Sequence, residues 1–518
     1  MQTGAILTRS NIKHFERPDR LPRAMLAMRK WGTSPAGILA ASAARYPENV
    51  ALIDDEGSIT YEDLWARTNS VAAALADRGV GAGVGVGILC RNHRGFIEWL
   101  MAAAATGADI TLLNTGFASP QLADVVEHEN ISILIHDNEF AAIVSDCGVE
   151  QAFDEDALNS FATSNRMVEP NNRGGRIVIL TSGTTGRPKG AARRSDSSAL
   201  EAVAALLQKL PFKIGDTQVV CAPAFHAWGF GNLLLGIGRC STSIINRRFD
   251  PSATFDSLAE HRADVLVVVP VMLARMLELP SKSKLPTPNL KVIASSGSAI
   301  GSKLVLDVLK FFGPVLYNLY GSTEVSFATI ATPEDLAEAP STAGRVALAV
   351  DVEILDAAGN QLPDGRTGRV FVGASMRFQG YTSGGTKEEI RGLLSSGDLG
   401  HFRNGLLFVE GREDDMIVSG GENVFPQEVE EFLNQHPAIK DAAVVGVPDD
   451  DFGQGLAAFV VLSDELTVDE VRAHVKDHLA RHKVPRQVHF VDELPRNPTG
   501  KLLRRSMIDT ATGGPNDD

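Results

Sequence analysis

Helical and strand patterns alternate along the chain from Ala36 to about residue 345, and this alternation limits the fold more than any other feature. The stretch VALIDDEGSITY predicts two strands joined by a turn, and TYEDLWARTNSVAAALADRGV predicts a helix that Thr60 caps and Gly79 ends. The strand pattern then returns in VGVGILC, ADITLLN, ISILIHD, IVILTS, TQVVCAP, ADVLVVVP, LKVIASSG and VLYNLYG. Regular alternation of this kind predicts an α/β fold whose sheets are largely parallel.

The pattern changes after about residue 345, where short strands joined by turns predict a β-rich subdomain. A charged stretch and a glycine pair then lead into a compact α+β pattern, so we place a domain boundary near Glu413. The predicted organisation is a basic N-terminal arm at 1–34, a large domain at 35–412 with its β-rich part at about 345–412, a C-terminal domain at 413–508 and a disordered tail at 509–518.

Composition excludes several classes of protein. The chain has 518 residues and a net charge of -15, which argues against a general nucleic-acid binder, because such proteins carry basic faces. The N-terminus lacks the pattern of a signal peptide, and the most apolar stretch, residues 265–273, is far shorter than the roughly 20 residues of a membrane span. We therefore expect a soluble, cytoplasmic protein.

The four cysteines are not arranged as a metal or disulfide framework. Cys90, Cys147, Cys221 and Cys240 include no CxxC pair and have no cluster of histidines beside them in the sequence. We expect them to be buried small hydrophobic residues in a reducing compartment.

The N-terminal arm is basic although the protein as a whole is acidic. Residues 1–31 contain seven Lys or Arg but only Glu16 and Asp19 as acidic residues. The arm either contacts anionic lipid or forms a helix packed on its own domain. We favour the packed helix, because a short arm with Pro18 and Pro22 makes a poor amphipathic helix.

The stretch TSGTTGRPKG, residues 181–190, follows the buried strand pattern IVIL and predicts a phosphate-binding loop. It lacks the GxxxxGK[ST] spacing of a Walker loop, since Gly190 follows Lys189, and it lacks the GxGxxG of dinucleotide-binding folds. A hairpin or a flexible linker is the structural alternative. The candidate phosphate contacts are Thr181, Ser182, Gly183, Thr184, Thr185, Gly186 and Lys189.

Further polar stretches carry groups suited to a nucleotide. In NLYGSTE, a strand delivers Tyr320 to a glycine turn, followed by a hydroxyl at Thr323 and a carboxylate at Glu324 that suits Mg²⁺. SSGD places Asp398 where it can accept both hydroxyls of a ribose, and GREDD adds Arg412. NPTGK places a lysine, Lys501, in a turn near the C-terminus, where alone it would be assigned no role.

Together these stretches resemble the adenylate-forming superfamily of acyl-CoA synthetases, aryl-acid ligases, luciferases and adenylation domains. The order TSGTTGRPKG, AFHAWGFG, SSGSA, NLYGSTE, SSGD, GREDDMIVSGGENVFPQEVE and NPTGK matches over about residues 35–505, and the similarity is greatest to bacterial fatty-acid and medium-chain acyl-CoA ligases. The resemblance implies a large domain of two α/β layers with a β-barrel-like subdomain, and a small mobile C-terminal domain. It also implies two half-reactions: a carboxylate attacks Mg-ATP to give an acyl-adenylate, and coenzyme A then displaces AMP.

The resemblance also implies a role for each residue. Tyr320 would stack on adenine, Thr323 would contact the α-phosphate and Glu324 would hold Mg²⁺. Lys501 would offset negative charge at the α-phosphate, where charge builds in the transition state. The remaining implied ATP contacts are the 181–190 loop on the β- and γ-phosphates, Ser296, Gly297 and Ser298 along the adenine edge, and Asp398 and Arg412 on the ribose.

The resemblance places a hinge at Asp414 and a pantetheine tunnel beside Gly420 and Gly421. One position departs from the family pattern: Val418 stands where many relatives carry a lysine, which puts a second adenylate contact in doubt. A non-catalytic nucleotide sensor would be expected to lack Glu324 or Lys501, and both are present.

The stretch AFHAWGFG bears on the choice of acid. His226 follows Phe225 where amino-acid-activating relatives carry an aspartate, so an amino acid is disfavoured. His226 and Trp228 are expected to line a pocket for a hydrophobic acid such as a fatty acid, with core packing as the alternative. Coenzyme A is the expected acceptor; loading of a separate carrier protein and activation of an aryl acid are the alternatives. Chain length and oligomeric state, a homodimer included, stay open.

Overall fold

The computed structural model describes residues 20–164, 166–171, 174–181, 189–193, 198–279, 289–374, 380–382, 384–419, 422–449, 453–497 and 500–513. Within these ranges the chain forms two α/β layers, an antiparallel sheet and a smaller C-terminal unit. The expected α/β fold is confirmed.

The strands of the two α/β layers are β1 (Val50–Asp54), β2 (Gly57–Thr60), β3 (Gly85–Leu89), β4 (Asp109–Leu112), β5 (Ile133–His136), β6 (Gln151–Phe153), β7 (Ile177–Thr181), β8 (Lys189–Arg193), β9 (Thr217–Val220), β10 (Thr242–Ile245), β11 (Val265–Val268), β12 (Val292–Ser295), β13 (Leu316–Ser322), β14 (Ser326–Ala331) and β15 (Arg345–Val346). In the described ranges, one layer has six strands in the order β6-β5-β3-β4-β7-β8, and the other has nine in the order β15-β14-β13-β12-β11-β9-β10-β1-β2.

Both layers are parallel at their centres; the nine-stranded layer is antiparallel at both edges, and the six-stranded layer is antiparallel at its β8 edge and parallel at its β6 edge. β3 pairs in parallel with β4 and β5, and β11 pairs in parallel with β9 and β12. The antiparallel pairs of these two layers in the described ranges are β1 with β2, β7 with β8, β13 with β14, and β14 with β15. The central strands are apolar on both faces because helices cover both sides; every residue of β11 is buried.

The helices are α1 (Arg20–Trp31), α2 (Pro35–Arg45), α3 (Tyr61–Asp77), α4 (Arg94–Thr106), α5 (Ser119–His128), α6 (Ala141–Ser145), α7 (Glu155–Ala162), α8 (Ser198–Lys209), α9 (Ala227–Gly238), α10 (Pro251–Glu260), α11 (Pro270–Glu278), α12 (Ser302–Phe312), α13 (Pro333–Glu338), α14 (Pro426–Leu433), α15 (Val468–His478) and α16 (Arg504–Ala511). α3 begins as predicted, because the Thr60 side chain accepts a hydrogen bond from the backbone N–H of Asp63.

The β-rich part that follows is an antiparallel sheet of β16 (Val350–Leu355), β17 (Gly368–Ala374), β18 (Glu389–Ile390), β19 (Leu393–Arg403) and β20 (Leu406–Arg412). The C-terminal unit has the strands β21 (Ile417–Ser419), β22 (Glu422–Val424), β23 (Ile439–Asp449), β24 (Gly453–Leu462) and β25 (Gln487–Phe490), covered by α14, α15 and α16. The boundary near Glu413 stays a prediction.

One terminal segment differs from the expectation. The predicted disordered tail began at residue 509, but α16 continues to Ala511, because Met507 is buried and Ile508 and Ala511 pack against the same core. At the other end, α1 is a helix with Ala24 and Trp31 buried, as the favoured packed helix requires, and Pro22 lies in its first turn, where proline is tolerated. Among the described residues, no helix is long and apolar enough to cross a bilayer.

Candidate active site

A cavity of about 3130 Å³ brings together polar residues from widely separated parts of the chain. Its walls come from the nine-stranded sheet, from the antiparallel sheet and from the C-terminal unit. The predicted residues that line it are His226, Trp228, Ser296, Gly297, Ser298, Tyr320, Thr323, Glu324, Asp398, Arg412, Asp414 and Lys501.

Tyr320 and Asp398 lie directly against each other. The Tyr320 hydroxyl donates to Asp398 Oδ2 at 2.5 Å, and Arg412 Nη1 lies 3.5 Å from Asp398 Oδ1. Burial raises the pKa of the Asp398 carboxyl, and the charge of Arg412 opposes this shift. Burial and the charge of Asp398 raise the pKa of the Tyr320 phenol, which therefore stays a hydrogen-bond donor.

Gly321 and Gly397 act differently from the turn residues that the sequence predicted. β13 continues through Gly321 to Ser322, and the turn comes at residues 323–325. Gly321 is required because a Cβ there would collide with the backbone oxygen of Ser326 on the paired strand. Gly397 lies within β19 with φ +80°, a conformation that favours glycine, and the next residue, Asp398, lines the cavity.

The carboxylate of Glu324 is held by two hydroxyl groups. Ser322 Oγ lies 2.8 Å from Oε2, and the Tyr381 hydroxyl donates to Oε1 at 2.9 Å. Burial and the charge of Glu324 raise the pKa of Tyr381, so its proton stays in this bond. Sequence reasoning missed Tyr381, because nothing in the stretch around GYTSGG links it to Glu324, 57 residues earlier.

Residues 381 and 382 also contact the start of β8, next to the predicted phosphate loop. The backbone N–H of Thr382 donates to the oxygen of Gly190 at 2.9 Å, and Tyr381 forms an isolated β-bridge with Ala191. These contacts connect the Glu324 carboxylate to the strand that leaves the 181–190 stretch.

The predicted phosphate loop joins two antiparallel strands. Thr181 ends β7 and pairs with Lys189, which begins β8. The segment predicted to be a phosphate-binding loop therefore also connects the two strands of a hairpin, the structural alternative given above. The predicted contacts Ser182, Gly183, Thr184, Thr185 and Gly186 lie outside the described residues, and their role stays a prediction.

The stretch 295–298 and Asn318 form another wall of the cavity. Gly297 has φ +96°, and the Ser296 hydroxyl donates to the backbone oxygen of Leu319 at 2.9 Å. Asn318 is buried, and its Oδ1 has no hydrogen-bond partner among the residues that the structure describes. Its carbonyl oxygen suits an amine donor such as that of adenine. Asn318 opens the NLYGSTE stretch, so the sequence held this candidate, although no role was assigned to it.

Lys501 comes from the C-terminal unit and lines the same cavity as Glu324 and Asp398. Lys501 is exposed to the cavity, and the surrounding protein and the charge of Arg412 lower its pKa. Its backbone is fixed by Asn497, whose side-chain oxygen accepts from the Lys501 N–H at 2.9 Å. The preceding Gly500, with φ +79°, packs so closely on Val271 of α11 that a Cβ would collide with it.

The predicted hinge and tunnel residues are placed only in part. Asp414 lies in an exposed turn, with its carboxylate 3.9 Å from Arg412 Nη2. Gly420 and Gly421 lie outside the described residues. Val418, the position that departs from the family pattern, is 42% exposed on β21. The hinge and tunnel roles stay predictions.

His226 and Trp228 lie at the start of α9, where the cavity extends along the helix. Trp228 donates through Nε1 to the backbone oxygen of Val268 at 2.9 Å. His226 Nε2 is buried and has no hydrogen-bond partner within the described part of the chain. Burial lowers the pKa of the imidazole to about 4, so it is neutral near pH 7. One turn further, a Cβ on Gly231 would meet nothing within 4 Å, so this side of α9 faces open space.

The fold brings one of the cysteines next to a histidine, although no cysteine has a cluster of histidines beside it in the sequence. Cys90, His93 and Asp137 meet in the buried interior at the start of α4. His93 Nε2 lies 2.7 Å from Asp137, and its Nδ1 accepts from the Gly95 N–H, so the imidazole caps the helix. The three groups are satisfied by one another and do not line the cavity.

Comparisons with known proteins identify the family to which the chain belongs. The sequence profile of the AMP-binding enzyme family matches residues 39–382, and that of the AMP-binding enzyme C-terminal domain matches residues 428–501. A 2-succinylbenzoate–CoA ligase of Bacillus anthracis is 31% identical over 89% of this chain and 95% of its own.

Two solved structures share the fold over nearly the whole chain. The o-succinylbenzoate CoA synthetase of Bacillus subtilis, in complex with its acyl-adenylate, is 27% identical with a TM-score of 0.81 and covers 91% of this chain and 97% of its own. A fatty acyl CoA synthetase of Mycobacterium tuberculosis is 25% identical with a TM-score of 0.74 and covers 93% and 99%. The relative of highest identity among these three acts, by name, on an aromatic acid, so the expected fatty acid stays a proposal. The chain belongs to the AMP-binding enzyme family, the adenylate-forming superfamily of acyl- and aryl-CoA ligases.

Proposed function

We propose that the protein ligates a hydrophobic carboxylic acid to coenzyme A in two steps, through an acyl-adenylate and with release of pyrophosphate. The observation that carries this proposal is the meeting of Glu324, Asp398 and Lys501 in one cavity, although they lie on three separate parts of the fold. This chemistry needs three groups around ATP: a carboxylate that accepts hydrogen bonds from the ribose hydroxyls, a carboxylate that holds a cation, and a lysine.

The nucleotide occupies the part of the cavity between Tyr320 and Asn318. The Tyr320 ring stacks on adenine, Asn318 Oδ1 accepts from its amine, and Ser296, Gly297 and Ser298 run along its edge. Asp398 accepts the ribose hydroxyls, with Arg412 holding the carboxylate in place. The phosphates lie between the Thr181–Lys189 stretch and Thr323. The shared cavity and the family match support the roles of the cavity residues, and the family match alone supports the role of the Thr181–Lys189 stretch.

The donors around Glu324 fit Mg²⁺. All of them are oxygens, and among the described residues each carboxylate oxygen of Glu324 accepts one hydrogen bond, which leaves lone pairs for a hard cation. When bound, the ion offsets negative charge on the phosphates. Ser322 and Tyr381 orient the carboxylate that holds it.

Lys501 supplies positive charge at the reacting α-phosphate. The incoming acid carboxylate and the phosphate are both anionic, so a cation between them lowers the barrier to their approach. Gly500 sets how closely the C-terminal unit approaches α11 and thereby where Lys501 lies. For the second step, the proposed hinge at Asp414 lets the C-terminal unit rotate and brings Gly420 and Gly421 to the pantetheine arm.

The acid lies along α9, with a fatty acid as the substrate class that we favour. Leu206, Leu207 and Leu234 line this part of the cavity, and Gly231 leaves room beside the helix. An apolar chain suits such walls, because it gains free energy by leaving water.

An aryl acid is the second candidate. It is supported by the unpartnered His226 Nε2, which suits a polar substituent on a ring, and by the 2-succinylbenzoate–CoA ligase relative. Because the His226 imidazole is neutral, it suits a neutral polar group better than a second carboxylate.

The test is pyrophosphate release over a panel of straight-chain and aryl acids, each with and without coenzyme A. We expect turnover with hydrophobic acids that rises strongly when coenzyme A is present. Turnover that ignores coenzyme A would instead favour loading of a carrier protein. No turnover with any acid in the panel would contradict the proposal.

A further inference from the structure

Helix α1 exposes several large apolar side chains to solvent. Met25 is 68% exposed, Leu26 60% and Leu21 53%. The opposite side of the helix is anchored on the protein through Ala24 and Trp31, which are both buried, and Trp31 contacts the edge of Trp65 at 5.0 Å between ring centroids. The exposed side chains are therefore held on a fixed surface.

The same helix is basic and carries no acidic residue. Arg29 and Lys30 are exposed in its last turn, while the protein as a whole has a net charge of -15. Exposed apolar side chains mixed with cations are typical of helices that lie in the interface of an anionic bilayer, where the apolar groups enter and the cations meet headgroups.

The position of α1 also favours a lipid surface over another kind of partner. Leu21, Met25 and Met28 line the outer end of the cavity described above, whereas Leu26, Arg29 and Lys30 do not. One edge of the helix thus borders the space proposed for the acid, and another edge is free to face a membrane. A bilayer would both satisfy the charge of α1 and be a source of apolar acids.

We propose that α1 docks the protein on anionic membrane surfaces through Leu26, Arg29 and Lys30, with the outer end of the cavity turned towards the lipid. The proposal rests on the proposed function only for the link to the acid. Docking itself depends on the exposed side chains alone.

The test is co-sedimentation of the full-length protein with vesicles, measured without ATP or acid. One set of vesicles is phosphatidylcholine, and the other contains phosphatidylglycerol as about a third of the lipid. We expect binding to the anionic vesicles only, weakened by high salt. Arg29→Gln/Lys30→Gln is expected to bind about 25-fold more weakly, since each basic side chain contributes about 1 kcal/mol, or roughly fivefold.

A matched control removes two exposed cations elsewhere. Arg472→Gln/Lys476→Gln on α15 changes the net charge equally and should leave vesicle binding unchanged. Leu26→Ser should weaken binding without changing pyrophosphate release, because Leu26 does not line the cavity. Thermal unfolding of each variant checks that it is folded.

Three outcomes would overturn the proposal: equal sedimentation with both kinds of vesicle, equal loss in the α15 control, or a fall in solution mass on Leu26→Ser. The last would show that a second copy of the chain covers the helix. Failure of docking leaves pyrophosphate release without vesicles intact, so it is distinguishable from failure of the proposed function.

Discussion

The Tyr381 hydroxyl donates to the Glu324 carboxylate at 2.9 Å and connects it to the strand that follows the 181–190 stretch. If this bond orients a metal-holding carboxylate, Tyr381→Phe should raise the Mg²⁺ concentration for half-maximal adenylation at least about tenfold, because a hydrogen bond to a charged group contributes about 1.5–3 kcal/mol. Pyrophosphate release at a series of Mg²⁺ concentrations measures this requirement. Electron paramagnetic resonance of bound Mn²⁺ measures the affinity for the metal directly.

The control for Tyr381 is Tyr317→Phe, which also removes one phenol but does not line the cavity. The Tyr317 variant should keep the Mg²⁺ requirement of the parent. An unchanged requirement in Tyr381→Phe would show that the hydroxyl does not position Glu324.

Lys501→Ala should separate the two half-reactions. We expect adenylation to fall a hundredfold or more, by analogy with the loss of about 3–4 kcal/mol at oxyanion donors. Thioester formation from supplied acyl-adenylate should be nearly unchanged. Lys476→Ala, on the exposed face of α15, is the control. Equal loss of both steps would refute domain rotation in this protein.

Gly500→Ala should also slow adenylation, because it displaces the Lys501 side chain and leaves its charge unchanged. The new Cβ collides with Val271, so Lys501 moves away from the cavity and adenylation falls more than thioester formation. Val271→Ala in the same chain should restore part of the rate by making room. The control is Gly453→Ala, where φ is +73° but nothing lies within 4 Å of the new Cβ. A similar loss at both glycines would point to backbone strain, not to the contact with α11.

His226 predicts a pH dependence of stability. Its pKa is lowered from 6.5 to about 4 in the folded protein, so the unfolded chain binds a proton that the native state does not. The contribution of the buried neutral imidazole to the free energy of unfolding is therefore fully present above about pH 6.5. It is lost as the pH falls from about 6.5 towards 4, because the unfolded chain then takes up the proton. His226→Phe should reduce the loss of stability between neutral and acid pH in urea unfolding. An identical acid loss in the parent and the variant would contradict the burial of a neutral imidazole.

Local signals predicted most of the layers and the general position of the site. Thr60 caps α3, the apolar strand patterns became buried strands, and residues of the polar stretches SSGSA, NLYGSTE and SSGD line one cavity. The contacts that the sequence did not reveal join distant residues. Tyr381 and Glu324 are 57 residues apart, and Gly500 meets Val271 across two units of the fold. Such contacts depend on how whole sheets pack, which no local pattern encodes.

Contacts between distant residues also explain why the predictions for Gly321 and for residues 509–511 were wrong. Gly321 was predicted to be a turn because glycine is common in turns, but its role is to let β13 and β14 approach. Residues 509–511 have the composition of a tail, yet they are helical because a buried methionine earlier in α16 anchors them.

The pairing of β1 has a consequence for how the chain folds as it is synthesised. β1 pairs in parallel with β10, with Leu52 opposite Ser243. The ribosome therefore makes the partner strand of the segment VALID about 190 residues after the segment itself. At about 5–20 residues per second, that delay is roughly 10–40 s. During it, an apolar strand edge near the N-terminus stays unpaired. Production of this protein should therefore depend on chaperones that shield nascent chains, and slow translation should increase its aggregation.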